Sequence, residues 1–367
     1  MKSRLLGRLD AAIKVAPSAF AADCLRCERA AYQARQGEVD EVSRELDALR
    51  KRYSARPNSE LSAWLHLVEG LLCHYRDLST GARDKLTRAH ALSAGAGLKP
   101  LQALSAAWLA HLDYMRIDPA SMTRHVAEAL SLASADHHAA LARAKLVVAQ
   151  AYHEGGRFDL ARPWYDRARH HATAEGDDAT LSAMMWNMAS LRVAGWRQTE
   201  ACEPAAVGAH APAMLSADST AHFDDMLGVK SLRALQPILR AQICTLMGRT
   251  DEALALYRTH LAEALAQGMR PVEGVLLADR AWCHVRAGGL DAARADATLA
   301  AAALALPGDF CDRAPGHSRL AQVWDSLGAA DAARAHRALA TTAWAGHRHD
   351  QARLVDALSS AFGATPV

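Results

Sequence analysis

Seven cysteines and eighteen histidines are the side chains of this sequence best suited to hold a metal or to act as nucleophile or base. "CLRC", Cys24 to Cys27, is a C-x-x-C. A tetrahedral zinc site needs four ligands, usually a second pair, and no second C-x-x-C occurs. A redox dithiol needs a strand-to-helix setting that the flanking residues do not offer. Both thiols therefore read as core residues. Cys73, Cys244 and Cys283 read the same way, near the middle of expected helices. His137-His138 and His170-His171 are adjacent in sequence. Neighbours on a helix point about 100° apart and chelate poorly. "HRHD", His347 to Asp350, brings two histidines near one ion only if its backbone is extended. No H-E-x-x-H, phosphate-cradling glycine loop or G-x-S-x-G is present. Gly95 and Gly97 in "SAGAGLKP" lack a following Lys-Ser/Thr. The expectation is a protein that is not an enzyme, with no catalytic residue, cofactor or metal.

Such residues sit on a scaffold that composition narrows sharply. Apolar residues make up 51% of 367, charged residues 22% and aromatics 5%. Alanine, leucine, arginine and glutamate favour helix, and β-branched runs are nearly absent. The expected class is all-α. A net charge of +2 gives no mandate for direct contact with nucleic acid or an anionic membrane. The start, "MKSRLLGRLDAAIKV", has no apolar signal region. The longest apolar run, Ala297 to Leu306, is far short of the roughly 20 residues of a bilayer span. Scattered cysteines in odd number suggest reduced thiols and a cytoplasmic location.

The helices fall into a comb. In "AYHEGGRFDLARPWYDRA" a turn at Gly156 is followed by Ala161, Tyr165 and Ala168. The same order returns as Gly248, Ala253 and Tyr257, as Gly288, Ala293, Ala297 and Ala300, and as Gly328, Ala333 and Ala340. Near the N-terminus Gly37 precedes Val42 and Leu46, and Asp77 precedes Ala82, Leu86 and Ala89. Turn positions 37, 77, 117, 156 and 195 recur every 39 or 40 residues, as do 248, 288 and 328. One wider step separates 195 from 248. A fixed period of this size marks stacked supersecondary units. Glycine supplies a left-handed cap. Alanine allows close helix approach, and the large residue one turn on fills the gap between units.

This spacing resembles the tetratricopeptide repeat family, most closely where Ala149 and Tyr152 precede Gly156 and Phe158, then Ala161 and Tyr165. The period is nearer 40 than the family's usual 34, as in the elongated repeats of bacterial regulators of the MalT and Rap types. HEAT-like hairpins share the longer period but not the turn pattern. The unit around Asp118-Pro119 is degenerate. The resemblance implies a right-handed superhelical solenoid of about eight helix-turn-helix repeats. It divides into repeats over 1–200, an irregular insert or extended helix over 201–232, and repeats over 233–367 closed by a capping helix.

The family presents the first helix of each repeat on a concave groove. Carried onto this sequence, the groove residues are Trp64, His74 and Tyr75; His111 and Tyr114; Arg143, Gln150, His153 and Glu154; Met185 and Arg192; then Gln242, Trp282, Arg286, Gln322 and Asp325. Aromatics supply contact area, and arginine and glutamine bond carboxylates and main chain. The Lys/Arg/Asn set with which some members grip a C-terminal carboxylate is missing. The expected function is a non-catalytic scaffold or adaptor that binds another protein or a peptide. The alternative is a sensory module of a bacterial signalling system that binds a short peptide or small ligand. Partner identity and oligomeric state are not encoded legibly.

Overall fold

The structure is a computed structural model that describes residues 3–78, 81–202 and 211–363. Every regular element among them is helical, so the class is all-α. The chain divides into two compact units. One comprises Met1–Met185, His222–Leu232 and Arg353–Val367; the other comprises Trp186–Ala221 and Arg233–Ala352.

The first unit opens with α1 (Arg4–Lys14) and α2 (Ala19–Gln36), then α3 (Val39–Tyr53), α4 (Ser59–Asp77) and α5 (Gly81–Gly95). It continues through α6 (Lys99–Met115), α7 (Pro119–Leu132), α8 (His138–Glu154) and α9 (Phe158–Glu175). Helices pair in order, α4 on α5, α6 on α7 and α8 on α9. The first helix of each pair packs on the first helix of the next, α2 on α4, α4 on α6 and α6 on α8. α1 lies against α2, and its start reaches the last turn of α9: the Arg4 guanidinium donates to the Thr173 carbonyl at 3.2 Å.

The second unit holds α12 (Leu235–Leu246), α13 (Thr250–Ala264), α14 (Glu273–Arg286), α15 (Leu290–Leu304) and α16 (Phe310–Ser326). α12 packs on α13 and α14 on α15, while α14 also packs on α12 and α16. Unit boundaries fall inside α10 (Asp178–Cys202), α11 (Ala211–Leu227) and α17 (Ala330–Phe362).

Helix ends follow local chemistry. Ser18 and Asn58 cap α2 and α4 by accepting backbone N–H groups three residues on, at 3.0 and 3.1 Å. Seven of the eight expected turns end at or beside a left-handed residue. Glycine takes that conformation at 37, 156, 248, 288 and 328, whereas Leu78 and Ile117 take it at φ 52° and 53°. At the second of these, Asp118 caps α7 through the Ser121 N–H at 3.1 Å, and Pro119 occupies its first turn. Asp-Pro thus starts the helix that a glycine would otherwise announce. The eighth expected turn is absent: Gly195 lies inside α10, flanked by Ala194 and Trp196. A helical glycine costs only about 1 kcal/mol and does not by itself end a helix.

The comb's letters are the core. Ala82, Ala161, Ala253, Ala293 and Ala333 are all buried, as are Val42, Leu46, Leu86, Tyr165 and Tyr257. Glycines inside helices mark the closest approaches. A Cβ on Gly70 would lie 2.7 Å from Leu86, and Cβ atoms on Gly274 and Gly316 would lie 2.6 and 2.8 Å from Leu304. Among the described residues, no helix is long and apolar enough to cross a membrane.

Candidate functional site

Within the first unit, four consecutive first helices contribute to one polar cluster. α4 supplies His74 and Tyr75, α6 supplies Trp108 and His111, and α8 supplies Arg143. α2 supplies Arg35, which donates to Asp177 at 2.7 Å and to Thr180 at 2.9 Å. The rings pack edge to face: His74 and His111 have centroids 5.2 Å apart, and Trp108 lies 6.0 Å from Tyr75 and 5.9 Å from His111. The Arg143 guanidinium carbon lies 3.9 Å from the Trp108 ring centroid.

Charge in this cluster is unevenly compensated. Arg35 has Asp177 as its partner. Burial alone would raise the Asp177 carboxyl, but the Arg35 charge and the Thr180 hydrogen bonds outweigh it and hold the group below the usual carboxylate range. Burial and the Arg143 charge push His74 down to about 4, and the same causes with His74 push His111 well down. Both imidazoles are therefore neutral at neutral pH. Arg143 is 2% exposed, and its Nε and Nη2 have no hydrogen-bond partner. Burial lowers its pKa, Arg35 adds to that, and Tyr75 and Asp177 oppose it. A buried cation–π contact is worth about 2 kcal/mol, against several for an ion taken out of water. Stacking on Trp108 therefore offsets only part of the cost. Two other buried carboxylates of the unit are paired: Asp23 accepts from Arg52 at 2.6 Å and Tyr53 at 3.0 Å, and Asp113 from Arg83 and His125 at 2.5 and 2.6 Å.

The second unit carries a smaller pocket lined by Arg197, Glu200, Asp279, Ser318, Arg319 and Gln322 among others. Arg319 grips Glu200 with two bonds of 3.1 and 2.7 Å, reaches Asp279 at 3.4 Å and donates to Gln322 at 2.7 Å. Arg197 pairs with Asp279. Trp282 has the guanidinium carbons of Arg319 and Arg286 at 5.4 and 6.0 Å from its ring centroid. Here the buried Arg319 and the half-buried Arg197 already have carboxylates.

His74, Tyr75, His111 and Arg143 are brought together. Gln150 lies two turns along α8 on the same face, buried, with Oε1 unpartnered. Trp64 packs into the apolar core instead. His153 contacts Tyr165 of its own hairpin at 3.2 Å and stacks on Phe158. Tyr114, Glu154, Met185 and Arg192 are half-buried, and Gln242 is buried on α12. In the second unit Trp282 and Gln322 meet at Arg319, Arg286 is exposed beside Trp282, and Asp325 pairs with Arg337 of α17. "HRHD" lies within α17, so the extended backbone that its chelation required is not formed. Cys27 is fully buried on α2; burial first, then nearby acidic groups and Cys24, push its thiol up. Asp309, Cys311 and Asp312 place ligand-type atoms within 4.8 Å of one another at the start of α16.

Sequence reading passed over Arg35, Trp108, Arg319 and their carboxylates. Arg35 stands two residues before its turn, as Tyr75 does, so the register could have found it. Trp108 and Arg319 stand one turn before His111 and Gln322. Asp177 and Glu200 had no local signal. Set against known proteins, the chain matches no family model and no curated protein.

Proposed function

We propose that this protein is a non-catalytic binding module of the tetratricopeptide type, a right-handed superhelical solenoid that holds an extended segment of another protein against its first helices. The observation that carries the reading is the run of first helices, each packed on the next, with Arg35, Tyr75, His111 and Arg143 converging from four of them. Second helices cover the outside of such a stack, so the first-helix side chains are the ones left to meet a ligand. Alanine and leucine fill the stack, while tryptophan and glutamine are concentrated on the first helices. That division of labour suits recognition of a peptide. The protein works in the cytoplasm, without cofactor or metal, and contacts neither nucleic acid nor membrane directly.

The burial of Arg143 favours a second reading, a sensory module of a signalling system that closes around a short peptide or small acid. A closed cation suits a compact ligand better than a through-running chain. Selection of displayed random peptides on the full-length protein tests the first reading. It expects enriched sequences whose saturable binding is weakened by Tyr75→Ala or Gln322→Ala. Absence of any enriched sequence, or binding indifferent to both substitutions, contradicts it.

A further inference from the structure

Arginine's five N–H groups are not equivalent in direction. Nε–H and one Nη2–H lie on a single edge of the planar guanidinium and point the same way, spaced to meet the two oxygens of a carboxylate. In Arg143 these are the two nitrogens without a partner. That edge is buried, at 2% residue exposure, so bulk water does not satisfy it. His111 Nδ1, also buried, has no partner either; Gln150 Oε1, two turns along the α8 face that carries Arg143, is likewise unpartnered. Arg143 and His111 thus bring two orphaned polar side chains into one cluster, where buried polar groups are normally bonded.

Charge sharpens the chemistry. The groups acting on Arg143 are Arg35, Asp177 and Tyr75, with His74 and His111 facing it from α4 and α6. Arg35 and Asp177 cancel as an ion pair, and both imidazoles are neutral. Arg143 alone remains uncompensated. A monoanion neutralises it, whereas a phosphate dianion leaves a surplus negative charge in a buried site. The Trp108 ring fixes the guanidinium plane from one face, so the unpartnered edge has a defined direction.

We infer that the Nε/Nη2 edge of Arg143 is a subsite for one carboxylate group of the bound ligand, with His111 Nδ1–H as a further donor in that tautomer. The inference rests on the binding-module reading and adds what the ligand must carry: a planar monoanion at an end or on a slender side chain, because the site is closed. This is a single-arginine fork backed by an indole, built from the helix positions of this chain.

The test uses full-length protein labelled with ¹⁵N-arginine, the Arg143 Nε–H signal being assigned by its loss in Arg143→Lys. Sodium acetate is expected to shift that signal saturably, and chloride or inorganic phosphate at equal concentration to leave it in place. A signal unmoved by acetate, or moved equally by phosphate, overturns the inference. Free-acid and C-terminally amidated forms of selected peptides then separate the two levels of the account. Free acids are expected to bind about ten- to a hundredfold more tightly, a margin that Arg143→Lys removes. Equal binding of both forms, indifferent to Arg143→Lys, overturns the carboxylate subsite and leaves the peptide-binding module standing. An acetate shift with no peptide bound supports the subsite while removing the peptide reading. Arg143→Lys retains the charge and stem, and its melting profile shows whether lost binding comes from lost fold.

Discussion

Arg35 and Asp177 stand 142 residues apart in the chain and meet as a buried ion pair at 2.7 Å. The same carboxylate caps α10, accepting the Thr180 N–H at 3.0 Å, so one aspartate holds both the helix start and the α2 arginine. The pair ties the first hairpin of the unit to the end of the fourth.

Removing one partner strands the other charge. Arg35→Met is expected to destabilise the protein by about 3–5 kcal/mol. Adding Asp177→Leu should recover most of that loss and leave about 1 kcal/mol for the missing cap. Equilibrium unfolding in urea, followed by circular dichroism, measures both. A double variant no better than Arg35→Met would contradict this account of the pair.

The neutral histidines set a pH window. His74, His171 and His317 are each pushed down to about 4 from an ordinary value of 6.5, by burial first and by nearby Arg143, by Lys145 and neighbouring histidines, and by His336 and Arg313 respectively. A depressed folded pKa means that the unfolded chain takes up protons first as pH falls. Stability is thus intact above 6.5 and declines progressively as pH drops toward 4. Thermal melts across that range should show the decline, and His74→Gln should make it shallower. A melting temperature flat from neutrality to pH 4 would count against the assignment.

Leu304 is wedged between two helical glycines. Gly274→Ala and Gly316→Ala each place a methyl inside 3 Å of it and should cost about 1–3 kcal/mol, although alanine is the better helix former. Leu304→Val should relieve part of either cost, which a double-mutant cycle in denaturant would register. Additive losses would mean that the contact is not the cause.

Burial, followed by the influence of nearby acidic groups, pushes Cys24 and Cys244 up to about 12. Native protein should therefore label slowly at these thiols with a disulfide reagent at mildly alkaline pH, and rapidly once unfolded. Fast native labelling at either position, mapped by mass spectrometry, would refute their placement.

The sequence displayed this fold unevenly, for physical reasons. Turns were legible because the left-handed cap is a local demand, met by glycine at 37, 156, 248, 288 and 328. Leu78 and Ile117 show that stacked helices can impose the same conformation on residues that resist it. Gly195 misled because a glycine inside a helix carries the same letter as one at its end. Alanine and large-residue slots were legible because each depends on its own hairpin. The site was half legible. Register singled out His74, Tyr75, His111 and Arg143, which come together, but whether a first-helix position is bonded, stacked or stranded depends on residues far along the chain. Asp177 satisfies Arg35, and among the described residues no carboxylate satisfies Arg143 Nε or Nη2. Likewise Gly70 and Leu86 are read as partners only once α4 lies on α5.

The central claim is that first helices carry the ligand. Photo-crosslinking tests it most directly, with benzoylphenylalanine placed at Tyr75 on α4 or at exposed Thr87 on α5, using a peptide selected on the full-length chain. The account predicts a peptide adduct from position 75 and none from position 87. Adducts from both positions alike, or from 87 alone, would contradict it.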